Sequence, residues 1–346
     1  MRIRPAQVIA CALGLVLGTS VEAGAQNTVW ASTPLELAVD ARSAGLGCKL
    51  AADLDRDGYV ATYNPAEIDS TAKGTVYLSY FNYYSGIQVG AVNTVLKSTP
   101  HVTIFSGARF ASYGEFSGFD ASGWPNSDFS GGDYFAQTGI TFRIDSSLTA
   151  GVTMFGGFRN LAMENAGVLG LDAAIMKRWE EKHLALGVLA SSVGRQFAGT
   201  GSQPVGWLPM NLQVGVTKGF NHAPFQLFLN LQHLENWALA PDGTYDDLID
   251  PLTGEVIENS TWVFGDQLIR HVNLGVELSF GDNFSAQIGY EHRRRKEMIA
   301  AGMQGTNGFS IGLGMNFKDL NVRLARNTYH FAGSSTHLSI GINLPG

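Results

Sequence analysis

Charged residues are scarce in this 346-residue chain, because Asp, Glu, Lys and Arg together make up 15% of it. Long apolar runs are also missing. Outside the N-terminal region, no stretch reaches the roughly 18 apolar residues of a transmembrane helix. These absences exclude a bundle of membrane-spanning helices. The formal net charge of −7 also argues against a nucleic-acid partner.

Cysteine is nearly absent, with Cys11 and Cys48 as the two examples. Cys11 lies within residues 1–25, which have the pattern of a secretory signal peptide. Arg2 and Arg4 form the basic start of this peptide, and Val8–Leu17 form its apolar core. Ala23-Gly24-Ala25 is its cleavage site. Cleavage is predicted before Gln26, which leaves one cysteine and excludes an intramolecular disulfide.

Alternation of apolar and polar residues dominates the chain from Leu268 to Leu344. The clearest runs are 271–280, 284–291, 309–317 and 338–344. A period of two indicates strands with one apolar and one polar face. Here the polar face is mostly Gly, Ser, Asn and Gln, which is typical of a wall whose apolar side meets lipid. We therefore predict an all-β fold, a transmembrane antiparallel β-barrel.

About fourteen strands are predicted within residues 74–346, an even number as single-chain bacterial barrels require. Their predicted starts lie near Gly74, Ile87, His101, Asp133, Leu148, Gly167, His183, Leu208, Ala223, Leu268, Asn283, Asn307, Leu320 and Thr336. Short connections alternate with long ones such as Ser112–Gly132 and Asn236–Gln267, which predicts short periplasmic turns and long extracellular loops. Residues 26–73 lack the strand pattern, and we predict that they form a segment in or under the barrel lumen.

Asp53, Asp55 and Asp57, followed by Gly58, match the first half of a calcium-binding EF-hand loop. The twelfth position is Asn64 instead of the bidentate Glu of such loops, so a solvated acidic turn is the alternative to this weak calcium candidate. The histidines show no zinc spacing, and the chain has no nucleophile elbow, HExxH motif or P-loop. We therefore predict a protein that is not an enzyme and uses no cofactor.

Two regions at predicted extracellular strand ends are candidate binding surfaces. In the first, strand parity predicts that Arg293 and Arg295 point inward and Arg294 points outward. These arginines either clamp lipopolysaccharide phosphates or an acidic partner loop, or form ion pairs in the barrel mouth and anchor headgroups. The second region, the acidic loop Asn236–Gln267, either docks a protein or folds as a lid. Its partner-binding candidates are Tyr245, Leu248, Ile249 and Trp262.

Several motifs carry a resemblance to a known family. Ala41–Gly47 and Tyr63–Ala66 resemble the N-terminal signature of the FadL-like (FadL/PorV-like) outer-membrane barrels. More specific motifs resemble those members of this family that serve the type IX secretion system. They are His222–Phe225, Leu231–Trp237, Leu268–Val272, Tyr290–Arg295 and Tyr329–Gly333.

The resemblance implies a fourteen-stranded barrel in the outer membrane that is not itself catalytic. It implies that the barrel anchors a PorZ-like surface protein within a cargo attachment complex that also contains PorU- and PorV-type components. Contact with outer-membrane lipid or lipopolysaccharide is also expected. The alternative is a FadL-type channel for hydrophobic solutes, which predicts an apolar ligand pocket and a gap or kink in the wall. The long outer loops favour docking.

Overall fold

The computed structural model describes residues 33–55, 58–120, 122–161, 164–199, 206–221, 223–249, 256–257, 259, 261–281, 283–298, 305–330 and 333–344. The signal-peptide prediction for residues 1–25 therefore lies outside the described residues. Within the described ranges, no helix is both long enough and apolar enough to cross a membrane.

Fourteen antiparallel strands close into one barrel, which confirms the predicted fold class. They are β1 (Thr75–Asn82), β2 (Gln88–Ser98), β3 (Val102–Phe119), β4 (Pro125–Arg143), β5 (Leu148–Leu161), β6 (Glu164–Trp179), β7 (Leu184–Gly199), β8 (Asn211–Phe220), β9 (Ala223–Leu231), β12 (Val272–Phe280), β13 (Phe284–Glu291), β14 (Phe309–Asn316), β15 (Leu320–His330) and β16 (Gly333–Asn343). A separate hairpin of β10 (Leu248–Ile249) and β11 (Val256–Ile257) lies between β9 and β12. The first and last strands pair, with Thr75 opposite Asn343, so the sheet closes on itself.

The chain also forms short helices that are not part of the barrel wall. They are α1 (Thr33–Glu36), α2 (Ala41–Gly45), α3 (Val263–Arg270) and α4 (His292–Glu297), with 3-10 turns at Gly58–Thr62, Ser70–Ala72, Tyr84–Gly86 and Glu180–Lys182. α1 and α2 precede the barrel, whereas α3 and α4 lie at the ends of β12 and β13.

The two faces of the wall differ as the alternation predicts. Leu274 and Ile311 point outward and are 49% and 58% exposed. Their neighbours Asn273 and Ser310 point into the lumen and are buried. The exposed apolar face suits contact with acyl chains, and the polar face suits a filled interior.

Two predicted boundaries differ most from the structure. The stretch Ser112–Gly132, predicted as a loop, continues β3 and β4 as a long hairpin. Gly114 has φ 83° and the register shifts beside it, which breaks the alternation that would reveal the strands. The strand predicted from Leu268 begins at Val272, because α3 occupies the residues before it.

The described residues from Thr33 to Lys73 occupy the lumen, and we call them the lumenal segment. At the end of the barrel with the long connections, which we call the extracellular end in line with the prediction, Leu35 packs against Phe155. Nearer the opposite end, which we call the periplasmic end, Val60 packs against Met176. The segment therefore runs from the outer half of the lumen down to the periplasmic end, where β1 begins.

Wall glycines allow the lumenal segment to approach the strands closely. A side chain on Gly289 would collide with the backbone of Leu46, and one on Gly187 would collide with the backbone of Ala51. The many glycines on the polar faces of the strands therefore make room for a backbone inside the barrel.

Candidate functional site: the filled lumen and the extracellular rim

α2 carries an arginine whose side chain is completely buried in the lumen. Arg42 donates from Nε to Oε2 of Glu277 in β12 at 2.8 Å. Its Nη2 donates to Oδ2 of Asp55 at 3.0 Å, and its Nη1 pairs with Asp53. One guanidinium therefore joins two carboxylates of the lumenal segment to one carboxylate of the wall.

Two further strands bind the lumenal segment through arginines. Arg178 of β6 pairs with Glu67 and donates from Nε to the carbonyl oxygen of Asp53 at 2.8 Å. Arg143 of β4 pairs with Asp69 at 3.0 Å. Breaking a buried ion pair by removing one partner typically costs about 3–5 kcal/mol, because the other charge is left uncompensated. These contacts therefore fix the segment inside the wall.

The carboxylates of the calcium candidate face a guanidinium. Asp53 and Asp55 both contact Arg42, and Asp53 is fully buried, so the alternative of a solvated acidic turn is wrong for Asp53. Asp57 lies outside the described residues. Within the part of the chain that the structure describes, no group of three or more His, Cys, Asp or Glu residues could hold a metal ion.

Aromatic side chains fill the lumen at its extracellular end. The rings of Phe81 and His337 stack with centroids 4.2 Å apart, and Tyr329 lies 5.8 Å from His337. Val39 of the lumenal segment packs into the same cluster, beside Tyr83. The segment and the wall thus close the lumen together at this end.

The connection between β9 and β12 is folded around α3. Tyr245 donates from its hydroxyl to Oδ2 of Asp266 at 2.9 Å, and Arg270 donates from Nε to the same oxygen at 2.7 Å. Gln267 accepts a hydrogen bond from the Leu239 N–H at 2.9 Å. Burial opposes ionisation of Asp266, but the hydrogen bonds from Arg270 and Tyr245 outweigh it and lower the pKa of that carboxyl. The polar face of α3 therefore holds the loop.

The other face of α3 is apolar and exposed. Phe264, Leu268 and Ile269 all belong to this face and are open to solvent. The ring of Trp237 lies 5.3 Å from that of Phe264. The loop thus combines an ordered polar interior with an apolar outer surface.

The structure places the four candidates of this loop in different settings. Tyr245 is held against α3 by its hydrogen bond, whereas Trp262 is 73% exposed beside the start of the helix. Leu248 and Ile249 form β10, which pairs with β11. Trp262 is therefore the candidate with the most accessible side chain among those whose exposure the structure describes.

The predicted orientations of Arg294 and Arg295 are wrong. Arg293, Arg294 and Arg295 lie in α4 and do not continue β13, so the period of two no longer applies. Arg294 turns toward the lumen mouth, where it pairs with Glu291 at 2.9 Å. Its guanidinium carbon also lies 4.2 Å from the centre of the Tyr329 ring. The middle arginine thus faces inward, opposite to the prediction.

The other two arginines differ in position, because Arg293 is close enough to Glu36 of the lumenal segment to act on its charge, whereas Arg295 leaves the lumen mouth. Arg293 pairs with Glu297 at 3.1 Å within the same helix. Arg295 reaches the lipid-facing side, with its guanidinium carbon 5.9 Å from the centre of the Phe309 ring. One arginine therefore stabilises α4, and one stands above the outer wall.

A surface that the sequence did not reveal lies at the tip of the β3–β4 hairpin. Phe119 and Trp124 are 64% and 72% exposed there. Below them the rings of Phe116 and Phe129 stack with centroids 5.3 Å apart. Alternating aromatic residues around these positions could have indicated strands in the sequence, but Gly114 and the neighbouring glycines interrupt the alternation.

Two open cavities lie at the periplasmic end of the lumen. Their volumes are about 670 and 470 Å³, and Asp55, Gln226 and Ser279 line both. Arg178 lines the first and Glu277 the second, so charged groups contribute to both walls. An apolar cleft of about 310 Å³ lies on the outer, lipid-facing surface of β1, β2, β3 and β16.

A closed barrel of fourteen antiparallel strands around an N-terminal segment has the architecture of the FadL-type outer-membrane barrels. The toluene transporter TodX of Pseudomonas putida superposes with a TM-score of 0.50 and 12% identity, over 91% of this chain and 98% of that one. A FadL homologue of Pseudomonas aeruginosa gives 0.47 and 11%, covering 92% and 99%, and the toluene transporter TbuX of Ralstonia pickettii gives 0.48 and 10%, covering 89% and 97%. No family model and no curated protein matches the chain. At this identity, the likeness to TodX shows the fold.

Proposed function

We propose that this chain is a non-enzymatic outer-membrane scaffold barrel that resembles PorQ of the type IX secretion system. Its task in this proposal is to hold a PorZ-like surface protein of the cargo attachment complex. Chemistry on the secreted cargo belongs to a PorU-type component of the same complex, alongside a PorV-type barrel. The motifs in the C-terminal half of the sequence support this assignment.

The observation that carries the proposal is the exposure of two tryptophans. They lie on connections that are longer than two neighbouring strands need to be joined. Trp124 and Trp262 are 72% and 73% exposed, on the β3–β4 hairpin and beside α3. Both lie at the end of the barrel with the long connections. Tryptophan is enriched among residues that dominate protein–protein binding, and excess ordered loop structure usually carries function.

The charge of the loop Asn236–Gln267 supports a protein partner. The loop is rich in Asp and Glu and contains no Lys or Arg. Phosphates at the membrane surface would repel such a loop, whereas a basic protein surface would be attracted to it. The apolar face of α3 and Trp262 would supply the buried contact area, and the carboxylates would steer the encounter.

The second candidate is a FadL-type channel for hydrophobic solutes, which the fold shared with TodX favours. The filled lumen counts against it, because Arg42 and Arg178 tie the lumenal segment to the wall by buried ion pairs. The cavities at the periplasmic end are lined by charged groups such as Asp55 and Glu277, which do not suit a hydrophobic solute.

Affinity pull-down from detergent-solubilised outer membranes tests the proposal. The full chain should retain a PorZ-like surface protein. The double variant Trp124→Ser/Trp262→Ser should retain much less of it, while the barrel still shows heat-modifiable migration on gels. Phe220→Ser is the matched control, because it removes an exposed aromatic at the opposite, periplasmic end.

Replacement of residues 242–258 by a short Gly/Ser linker separates the two interpretations of the acidic loop. Loss of partner with an intact barrel supports docking through this loop. Normal retention of partner by both the linker variant and the double tryptophan variant would contradict the proposal. Uptake of a hydrophobic solute such as toluene into liposomes that contain the protein would favour the channel.

A further inference from the structure

The basic residues of α4 fall into two groups. Arg293 and Arg294 each pair with a glutamate, at 3.1 and 2.9 Å. Arg295 and Lys296 form no ion pair with any residue that the structure describes. Arg295 hydrogen-bonds only to a backbone carbonyl within the described residues, that of Gly305. Lys296 lies close enough to Asp266 of α3 to help lower the pKa of that carboxyl, so Arg295 is the basic residue of α4 that has no carboxylate partner among the described residues.

The connections next to Arg295 offer no acidic residue to neutralise its charge. The connection 298–308, which follows α4, contains no Asp or Glu, and neither does the stretch 328–335 between β15 and β16. The acidic residues of the rim are concentrated instead in the loop 236–267. The extracellular end is thus divided into an acidic sector and a basic sector.

β15 adds a second basic residue beside Arg295, on the lipid-facing side. Arg326 is exposed and shares its face with Leu324, while Arg323 and Ala325 point into the lumen. In the register of the sheet, Arg326 stands opposite the outward residue Ile311. An arginine on the lipid face is strongly unfavourable at the bilayer centre and tolerated near the headgroups, where it finds water or an anion.

Aromatic side chains place Arg295 and Arg326 at the level of the headgroups. The Phe309 ring lies 5.9 Å from the guanidinium carbon of Arg295, and Phe309 is the next outward residue above Ile311 in β14. The rings of Tyr290 and Phe309 are 4.9 Å apart, and Tyr290 shares a hydrogen bond of 2.9 Å with Nδ1 of His292. Outward aromatics at strand ends mark the interface between acyl chains and headgroups.

We propose that Arg295 and Arg326 bind the phosphate of a lipid headgroup in the outer leaflet. The two guanidinium groups supply planar, paired donors for phosphate oxygens. Tyr290 and Phe309 form the aromatic floor against which the first acyl carbons pack. This proposal rests on insertion of the barrel in an outer membrane, as in the proposed function, but it needs no protein partner.

A lipid fits this sector better than a protein does. Phe309 and Ile311 belong to the lipid-facing wall, so the site is continuous with a surface that acyl chains already cover. A soluble phosphate would make no favourable contact with that apolar floor. The protein partner proposed above is expected at the acidic sector instead, because its basic surface would be attracted to the carboxylates there.

Native mass spectrometry of the detergent-purified full chain tests the site, with diphosphorylated lipid A as the probe. The wild type should retain the lipid, and the double variant Arg295→Gln/Arg326→Gln should bind it about 30-fold more weakly, since each basic residue near a membrane surface is worth about a fivefold factor. Enzymatically dephosphorylated lipid A should bind the wild type as weakly as diphosphorylated lipid A binds the double variant. Millimolar inorganic phosphate should not displace the lipid.

Arg293→Gln is the matched control, because it removes a charge that Glu297 already neutralises. It should leave lipid retention unchanged. Equal retention by all variants, or equal binding of phosphorylated and dephosphorylated lipid, would overturn the site. Displacement by inorganic phosphate would replace it with a site for the free anion. Heat-modifiable migration shows whether each variant is a folded barrel, so failure of this site is distinct from failure of the partner proposal.

Discussion

Arg42 of the lumenal segment and Glu277 of β12 form a buried ion pair, with Nε and Oε2 2.8 Å apart. These residues are 235 positions apart in the sequence, and the pair joins the chain before the barrel to the wall itself. Both side chains are removed from water, so each depends on the other for compensation. The filled state of the lumen is therefore a property of the folded wall and not of the segment alone.

Arg42→Ala should loosen the lumenal segment. The substitution leaves Asp53 and Glu277 buried without their cation and should lower the free energy of unfolding by about 3–5 kcal/mol. Urea titration of the folded barrel on gels measures this change, and liposome swelling with small sugars measures whether the lumen opens. Arg326→Ala removes an exposed arginine of the wall and should leave swelling unchanged. Identical stability and swelling for Arg42→Ala and wild type would contradict the role given to this pair.

The parity of the wall predicts unequal effects of arginine at neighbouring positions of β14. Leu313→Arg places a charge on the lipid-facing side, where it should cost about 2–4 kcal/mol near the bilayer centre. Gly312→Arg instead collides with Gln287 and with Gly45 of the lumenal segment, so it should expel that segment. Refolding into liposomes distinguishes the two, because only Leu313→Arg should become milder in a thinner bilayer. Equal dependence on bilayer thickness would contradict the assigned faces.

Acid should release the contact between Tyr245 and α3. Hydrogen bonds in the folded loop outweigh the opposing effect of burial and lower the pKa of Asp266 from its ordinary value of 3.8. Its contribution to stability is therefore present above pH 3.8 and is lost as the pH falls through the lower, folded-state pKa. Acrylamide quenching of tryptophan fluorescence, titrated from pH 6 to pH 2, should rise in this range. Asp266→Asn should flatten the change, and an unchanged profile in that variant would show that another group is responsible.

A labelling experiment tests the orientation of the barrel in the outer membrane. An epitope inserted at Gly243, in the long loop, should bind antibody on intact cells. An epitope inserted at Asp319, in a short turn, should bind antibody only after the outer membrane is permeabilised. The reverse result would mean that the ends of the barrel are exchanged.

The strands of the barrel could be predicted from the sequence because their pattern is local. In β12, β13, β14 and β16, outward and inward residues alternate without interruption, and the glycines on the inward face already indicated a special interior. The β3–β4 hairpin was missed because it extends beyond the barrel, where both faces meet water and alternation is no longer required. Its glycines and register shifts remove the remaining signal.

The side-chain partners could not be predicted, because they depend on long-range geometry. Asp53 resembled a calcium ligand in sequence, but closure of the barrel brings Arg42 and its wall partner to the same point. The orientations of Arg294 and Arg295 depend on a single change from strand to helix after Glu291. Sequence reasoning therefore found the basic cluster and its place at the rim, but not which charges are neutralised.

Site-specific photo-crosslinking in living cells tests the central claim most directly, namely that the exposed aromatic surface at the extracellular end holds a protein partner. A photoreactive phenylalanine analogue placed at Trp124 or Trp262 should form a crosslink to one PorZ-like surface protein. The same analogue at Phe220, exposed at the periplasmic end, should not form this crosslink. Absence of any protein crosslink at both outer positions, in barrels that fold and reach the membrane normally, would contradict the account.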